Sequence, residues 1–184
     1  HSLVAPNSSA LLGYDDLGRP MLDRLLQGAQ VSFYIAFWVI GLSALIGTLI
    51  GLIAGWSGGW LDHVLTRIID IFMAFPGILL AIALAGVMGA GLSNIVIALT
   101  TVGWVGFARL ARAQALSVKQ REHIQAARAL GTTTSNILIR HILPLILAPL
   151  IVEATFGIAS VIIAEAGLSF LGLGIQAPDP SWGS

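Results

Sequence analysis

VSFYIAFWVIGLSALIGTLIGLIAG, residues 31–55, contains no charged side chain. It exceeds the roughly 20 apolar residues that a helix needs to cross a bilayer core. In hydrocarbon a chain must satisfy its backbone internally, so a run of this kind predicts a membrane-spanning helix. The rest of the chain agrees. Its 184 residues are 57% hydrophobic and 10% charged, with a mean hydropathy of +0.91, far more apolar than ordinary soluble domains. Formal net charge is zero, which points to no nucleic-acid partner. Cysteine is absent, which excludes disulfides, thiolate metal sites and cysteine nucleophiles together.

Working outward, three further runs stand out. Residues 68–88, IIDIFMAFPGILLAIALAGVM, form a second span that the Pro76-Gly77 pair should kink. Residues 92–108, LSNIVIALTTVGWVGFA, form a third that leads directly into Arg109 and Arg112. Residues 145–166, LILAPLIVEATFGIASVIIAEA, form a fourth and carry Glu153 and Glu165. The fold expected is therefore all-α, a polytopic membrane helical bundle. The opening residues lack the basic region and apolar core of a signal peptide, and both ends read as the interior of a longer polypeptide.

Basic residues collect in cytoplasmic loops. The connection 109–144 holds Arg109, Arg112, Lys119, Arg121, Arg128 and Arg140 out of nine Lys and Arg in the chain, which predicts that it faces the cytoplasm. Counting spans, the 56–66 turn is cytoplasmic, whereas residues 1–30, the 89–91 turn and residues 167–184 lie outside. Trp56 and Trp60 suit the membrane interface. Within the connection, KQREHIQAARALG favours helix and Gly131 is a natural C-terminal stop. TTTSNILIRHILP then restarts a second short helix, capped by Ser135 or a nearby Thr and ended or kinked at Pro144.

The stretch from Gln125 to Pro144 resembles the EAA loop of ABC-importer permeases. There Glu-Ala-Ala is followed after three residues by Gly and, about a dozen further on, by Leu-Pro. This chain has Gln125, Ala126, Ala127, Gly131, Leu143 and Pro144 at those places, with Gln for the usual Glu and His141 where Ile is often found. YDDLGRPMLDRLLQGAQVS, residues 14–32, and AEAGLSFLGLGIQAPDPSWG, residues 164–183, are similar to the dipeptide, oligopeptide and nickel permeases of the C-subunit type. The resemblance implies a type I importer fold, with one further span before this stretch and one after it. It also implies a multi-pass protein of a bacterial or archaeal inner membrane, surrounded by lipid. Its partners would be a homologous second permease, two cytoplasmic ATPase subunits and an extracytoplasmic solute-binding protein. By the same resemblance the loop is a coupling helix for the ATPase. Ala126 and Ala127 would permit close approach, Gly131 would make the corner, and Arg121 and Arg128 would add charge-assisted contacts.

An ATPase needs a glycine-rich phosphate loop ending in Lys-Ser or Lys-Thr, and the single lysine, Lys119, precedes Gln120. No cofactor is expected on this chain, and ATP would be used by the partner subunits. An intramembrane protease would need a Ser-His pair or two facing aspartates in the bilayer, and Asp70 is the one aspartate inside a predicted span. A secondary transporter or channel is the alternative class, supported by paired discontinuous helices; only the Pro76-Gly77 break is visible. The histidines have no tight ligand spacing. A charge at a span centre costs about 2.5–3.5 kcal/mol on insertion scales, so each marks a function or a partner. Asp70 is expected to pair with Arg67 three residues earlier. Glu153 should face the bundle interior, and Glu165, nearer the outer end, should face water or help close the outer mouth. Both are candidates for the translocation path. The substrate stays open among short peptides, nickel and metal chelates.

Overall fold

The structure is a computed structural model that describes residues 3–183; His1 and Ser2 of the lead-in and Ser184 lie outside the described residues. Its frame is helical, with no named strand among the described residues. The first run forms α1, Met21–Ser57, which begins ten residues earlier than hydropathy suggests because MLDRLLQGAQ is itself helix-favouring. It ends at Gly58, whose φ of +61° and that of Gly59, +58°, lie in the left-handed region that glycine tolerates. The chain restarts at once as α2, Gly59–Ala74. Residues 56–66, read as a turn, are thus mostly helix, and the reversal is confined to two glycines.

Pro76 does more than kink the next span. Phe75, pushed toward extended backbone by the proline that follows it, has φ −94° and ψ 134°. Proline then opens α3, Gly77–Met88, at an angle of 85° to α2. The result is a broken helix whose halves cross almost at a right angle. After the glycine-rich 89–91 turn, α4 runs over Leu92–Val118. It carries Arg109 and Arg112 well beyond the apolar run, since ARLARAQAL is made of strong helix formers.

α5 covers Glu122–Ala129. A short α6, Thr134–Asn136, passes through a π-helical turn at Ile137–Ile142 into α7, Leu143–Phe170. The second short helix and the last span are therefore one continuous 37-residue helix from Thr134 to Phe170. Pro144 neither ends nor isolates it. The widened turn before the proline lets Leu143 donate to Leu138, a local adjustment that tolerates proline in membrane helices. Thr133 holds the N-cap position without a side-chain cap, and Ser135 lies inside the helix rather than capping it.

α1 and α4 meet along a seam of small residues. Gly47, Gly51 and Gly55 recur every four residues and rest on the α4 backbone near Trp104, Ala108 and Arg112, themselves four apart. This is the close backbone approach that small residues permit between membrane helices. One apolar cluster, with Ile35, Val39, Ile95, Leu99 and Leu168, fills the half near the lead-in. A second, with Leu52, Phe107, Ala111, Ile124, Ile137 and Ile146, fills the opposite half.

Candidate functional site

The residues expected to couple to an ATPase gather at one end of the bundle. α4 stops at Val118, and Arg121 turns the chain as Val118 accepts its backbone N–H at 2.9 Å. α5 follows with Glu122 in its first turn and Arg128 in its last, each opposing the helix dipole favourably. Its inner face carries Ile124 and Ala127, 0% and 9% exposed, within the same cluster as Ala115, Val118 and Ile142. Its outer face carries Gln125, Ala126 and Ala129, all exposed, continued by Leu130 at 86% exposure. The two alanines expected to permit close approach are placed on different faces. Ala127 packs into the chain's own core, and Ala126 is the small residue left outside.

Gly131 has the left-handed φ expected of a corner, +80°. Its N–H donates to Arg128 at 3.0 Å and that of Thr132 donates to Ala127 at 3.1 Å, the two bonds of a Schellman stop. Nothing lies within 4 Å of where a Cβ would sit, so glycine is required there by the backbone and not by crowding.

Side chains tie this end to α1 and α2. Lys119 donates from Nζ to the Gly55 carbonyl at 3.0 Å, satisfying a helix-terminal acceptor. The Arg128 guanidinium stands 5.0 Å from the centre of the Trp56 ring, within cation–π range. Arg112 makes a two-bond contact with Asp62, 2.7 Å from Nε and 2.9 Å from Nη2, and Thr66 donates to the same carboxylate at 3.2 Å. The pair joins α4 to the start of α2. Asp70 is not paired with Arg67 among the described residues; it borders a recess shared with Thr66, Arg109 and Arg112. Leu143 joins the inner cluster, and Pro144 follows it at the start of α7. His141 lies in the π-helical turn with Nδ1 buried and unpartnered in the described structure.

The two intramembrane glutamates do not form one site. Twelve residues of helix separate them, about 18 Å of rise. Glu153 is half-buried and places Oε1 over Gly106 of α4, 2.8 Å from where a Cβ there would be. It does face the bundle. Glu165 is 0% exposed, which removes the water-facing alternative and leaves a place in the closure of the outer end. It lies on the buried face of α7 between Val161 and Leu168. Ser169 donates from Oγ to Glu165 Oε1 at 2.6 Å and accepts the Ile175 N–H at 3.2 Å, while Oε2 has no partner among the described residues.

The segment after α7 returns to close the lead-in end. Trp182 donates from its backbone to Ser32 Oγ at 3.3 Å and from Nε1 to the Leu25 carbonyl at 3.2 Å, and its ring meets Phe33 edge-on at 5.6 Å. Arg19 reaches the Pro178 carbonyl at 3.4 Å. Residues from the lead-in, the 89–91 turn and the C-terminal segment thus share one end of the bundle, and α5 occupies the other.

Two features lay outside the sequence reading. The Gly47-Gly51-Gly55 spacing was visible in GTLIGLIAG, residues 47–55, as a small-residue motif. The Asp62–Arg112 pair spans 50 positions and carries no local signal.

Residues 47–184 match the family described as "Binding-protein-dependent transport system inner membrane component". Over 181 residues the chain is 44% identical to the dipeptide transport system permease protein DppC of Alkalihalophilus pseudofirmus, covering 98% of this chain and 60% of that protein. Over 179 residues it is 45% identical to the glutathione transport system permease protein GsiD of Escherichia coli, covering 97% and 59%. The chain therefore spans about three fifths of the length of these relatives. Its fold is similar to a solved structure of the MetNI methionine ABC transporter in inward-facing conformations, with a TM-score of 0.64 at 24% identity, over 83% of this chain and 76% of that one. The family model matches residues 47–184, well over half of the chain, and this chain belongs to the inner membrane component family of binding-protein-dependent transport systems.

Proposed function

We propose that this chain is part of a permease subunit of an ATP-driven importer for short peptides. In this reading α5 is the element through which separate ATPase subunits act, a homologous second permease completes the pathway, and an extracytoplasmic binding protein delivers substrate. ATP is hydrolysed by the partner subunits and not on this chain, which binds no cofactor of its own. The observation that carries the proposal is the two-faced packing of α5. Its inner face is built into the bundle by Ile124 and Ala127, while Gln125, Ala126, Ala129 and Leu130 stand free on the other. A helix held on one side and bare on the other, ending in a fixed glycine corner, suits docking into a groove. Peptide substrates are supported by relatives named for dipeptide and glutathione transport; nickel has no such support among those relatives.

The test uses the full-length permease expressed with its partner subunits. Ala126→Trp and Leu130→Asp should leave the permease folded and abolish co-purification of the ATPase subunits. Ala127→Trp should instead lower the melting temperature of the permease itself. Gly131→Val forces a Cβ into the left-handed region at roughly 1–2 kcal/mol and should reduce uptake per ATP hydrolysed while the subunits remain together. Normal assembly and uptake in Ala126→Trp, Leu130→Asp and Gly131→Val alike would refute the docking role.

A further inference from the structure

At the lead-in end, α1, the 89–91 turn and the returning C-terminal segment enclose a recess of about 620 Å³. We infer that this recess is an outer subsite for the free N-terminus of a short peptide, with Asp179 as counter-charge to the peptide's α-ammonium group. The inference rests on the importer reading above and adds a contact to it.

The lining has the chemistry that such a ligand requires. Gln27 and Gln30 project from neighbouring positions on one face of α1, three residues apart, and Gln176 and Asp179 project from the opposite wall. Asp179 is the one charged side chain in the recess, is exposed, and its carboxylate has no hydrogen-bond or ion-pair partner among the described residues. An ammonium group offers three donors and no acceptor, so a lone carboxylate fits it, whereas side-chain amides both donate and accept and so match peptide bonds. Gln176 donates to the Gly172 carbonyl at 2.9 Å, which orients its amide and leaves the oxygen free to accept. Val31 and Ile175 supply an apolar floor for a peptide side chain. The volume lies within the range of about 300–1,000 Å³ usual for small-ligand sites.

The site is also pre-formed. The wall carrying Ile175 and Gln176 is fixed by the Ser169 hydroxyl, itself held by buried Glu165, and by the Leu173 N–H on the Leu168 carbonyl at 2.9 Å. A wall held this firmly presents its polar groups without an ordering cost at binding. The neighbouring recess, of about 600 Å³, carries three charged side chains, Asp15, Asp16 and Arg24, of which Asp15 is engaged by Arg24 at 3.3 Å and by the Arg19 N–H at 2.7 Å. Asp179 therefore shares its recess with no cation, whereas the neighbouring recess already holds Arg24.

The chain has no cysteine, so Ala90→Cys places a single reporter on the recess lining without altering a proposed polar contact. In the assembled importer, labelling of this cysteine by an impermeant maleimide should slow several-fold with dialanine. N-acetyl-dialanine, which lacks the ammonium, should leave the rate unchanged, and Asp179→Asn in the same background should remove the protection. Equal protection by both peptides, protection that survives Asp179→Asn, or no protection by dialanine would overturn the subsite. Blockage by the binding protein alone, regardless of peptide, would overturn it too and make the recess a protein-docking face. Dialanine uptake by the same preparation separates the two levels of the argument. Uptake without protection refutes the subsite and leaves the importer reading standing, whereas an assembled, ATP-hydrolysing complex that transports no peptide refutes the reading beneath it.

Discussion

Replacing Gly51 with alanine adds one methyl group at the centre of the α1–α4 seam. That carbon would lie 2.7 Å from the Ala111 Cβ and 2.9 Å from the Arg112 nitrogen, and closer still to the Ala108 carbonyl oxygen. These neighbours are backbone or stubs that no rotamer change can remove. Carbon pairs settle at about 3.5–4.0 Å, so the helices must part by roughly 1 Å. A gap of that order forfeits about a quarter to a half of the dispersion attraction across it, and overpacking of this kind costs about 1–3 kcal/mol. Helix propensity works the other way, since alanine is favoured over glycine by about 1 kcal/mol. Gly41 provides the control on the same helix, because nothing lies within 4 Å of its missing Cβ. Gly41→Ala should therefore be neutral or stabilising by up to ~1 kcal/mol, and Gly51→Ala destabilising by up to about 2 kcal/mol. Thermal or dodecyl sulfate unfolding of the purified full-length importer reads the contrast directly. If Gly51→Ala proves as stable as Gly41→Ala, the two helices do not approach as described.

Other expectations concern topology, charge and pH. A cysteine introduced at Ser135 should be protected from an impermeant reagent in intact cells and become reactive once the membrane is opened, as the basic residues around it require; reaction in intact cells would reverse the orientation. Glu153→Gln keeps the shape lying over Gly106 and removes the charge, so uptake per assembled complex should fall while assembly holds; poor assembly with normal uptake would make Glu153 structural. Backbone N–H groups, that of Arg19 first, hold the Asp15 carboxyl below its ordinary value of 3.8. A depressed carboxyl stabilises its loop above the unfolded pKa and loses that effect as pH falls through the folded one. Hydrogen-exchange protection of the Arg19 amide should then stay level from neutral pH to about pH 4 and decline only below; a decline between pH 5 and 7 would contradict the contact.

Much of the bundle was legible because membrane spans announce themselves by length and composition, and because Pro76 and Gly131 break helices for reasons local to the backbone. Helix ends were less legible. Arg109 and Arg112 mark where the chain leaves the apolar layer, but a helix of good formers has no reason to stop there, so α4 overran the expected boundary. Pro144 suggests an end or a kink to the second short helix; that the helix runs on instead depends on a π-helical turn that leaves no compositional trace. Small residues at 126 and 127 identified a place of close packing, yet which alanine faces outward depends on how α5 folds back under α4. Glu165 is less exposed than its place near the outer end suggests, because it shares the inward stripe of α7 with Val161 and Leu168.

α1 touches both ends of the molecule. Trp182 is fastened to it near Leu25, and Arg128 lies against it at Trp56. Its 37 residues make a rod of about 55 Å, stiffened along one flank by the glycine seam. Such a rod acts as a lever. A tilt of only about 5° over that length displaces the far tip by roughly 5 Å, more than the diameter of a water molecule. Under the coupling role proposed for α5, mechanical work done at that end would reach the opposite end of α1 without a chain of small side-chain rearrangements, and stiffness along α1 would set the stroke.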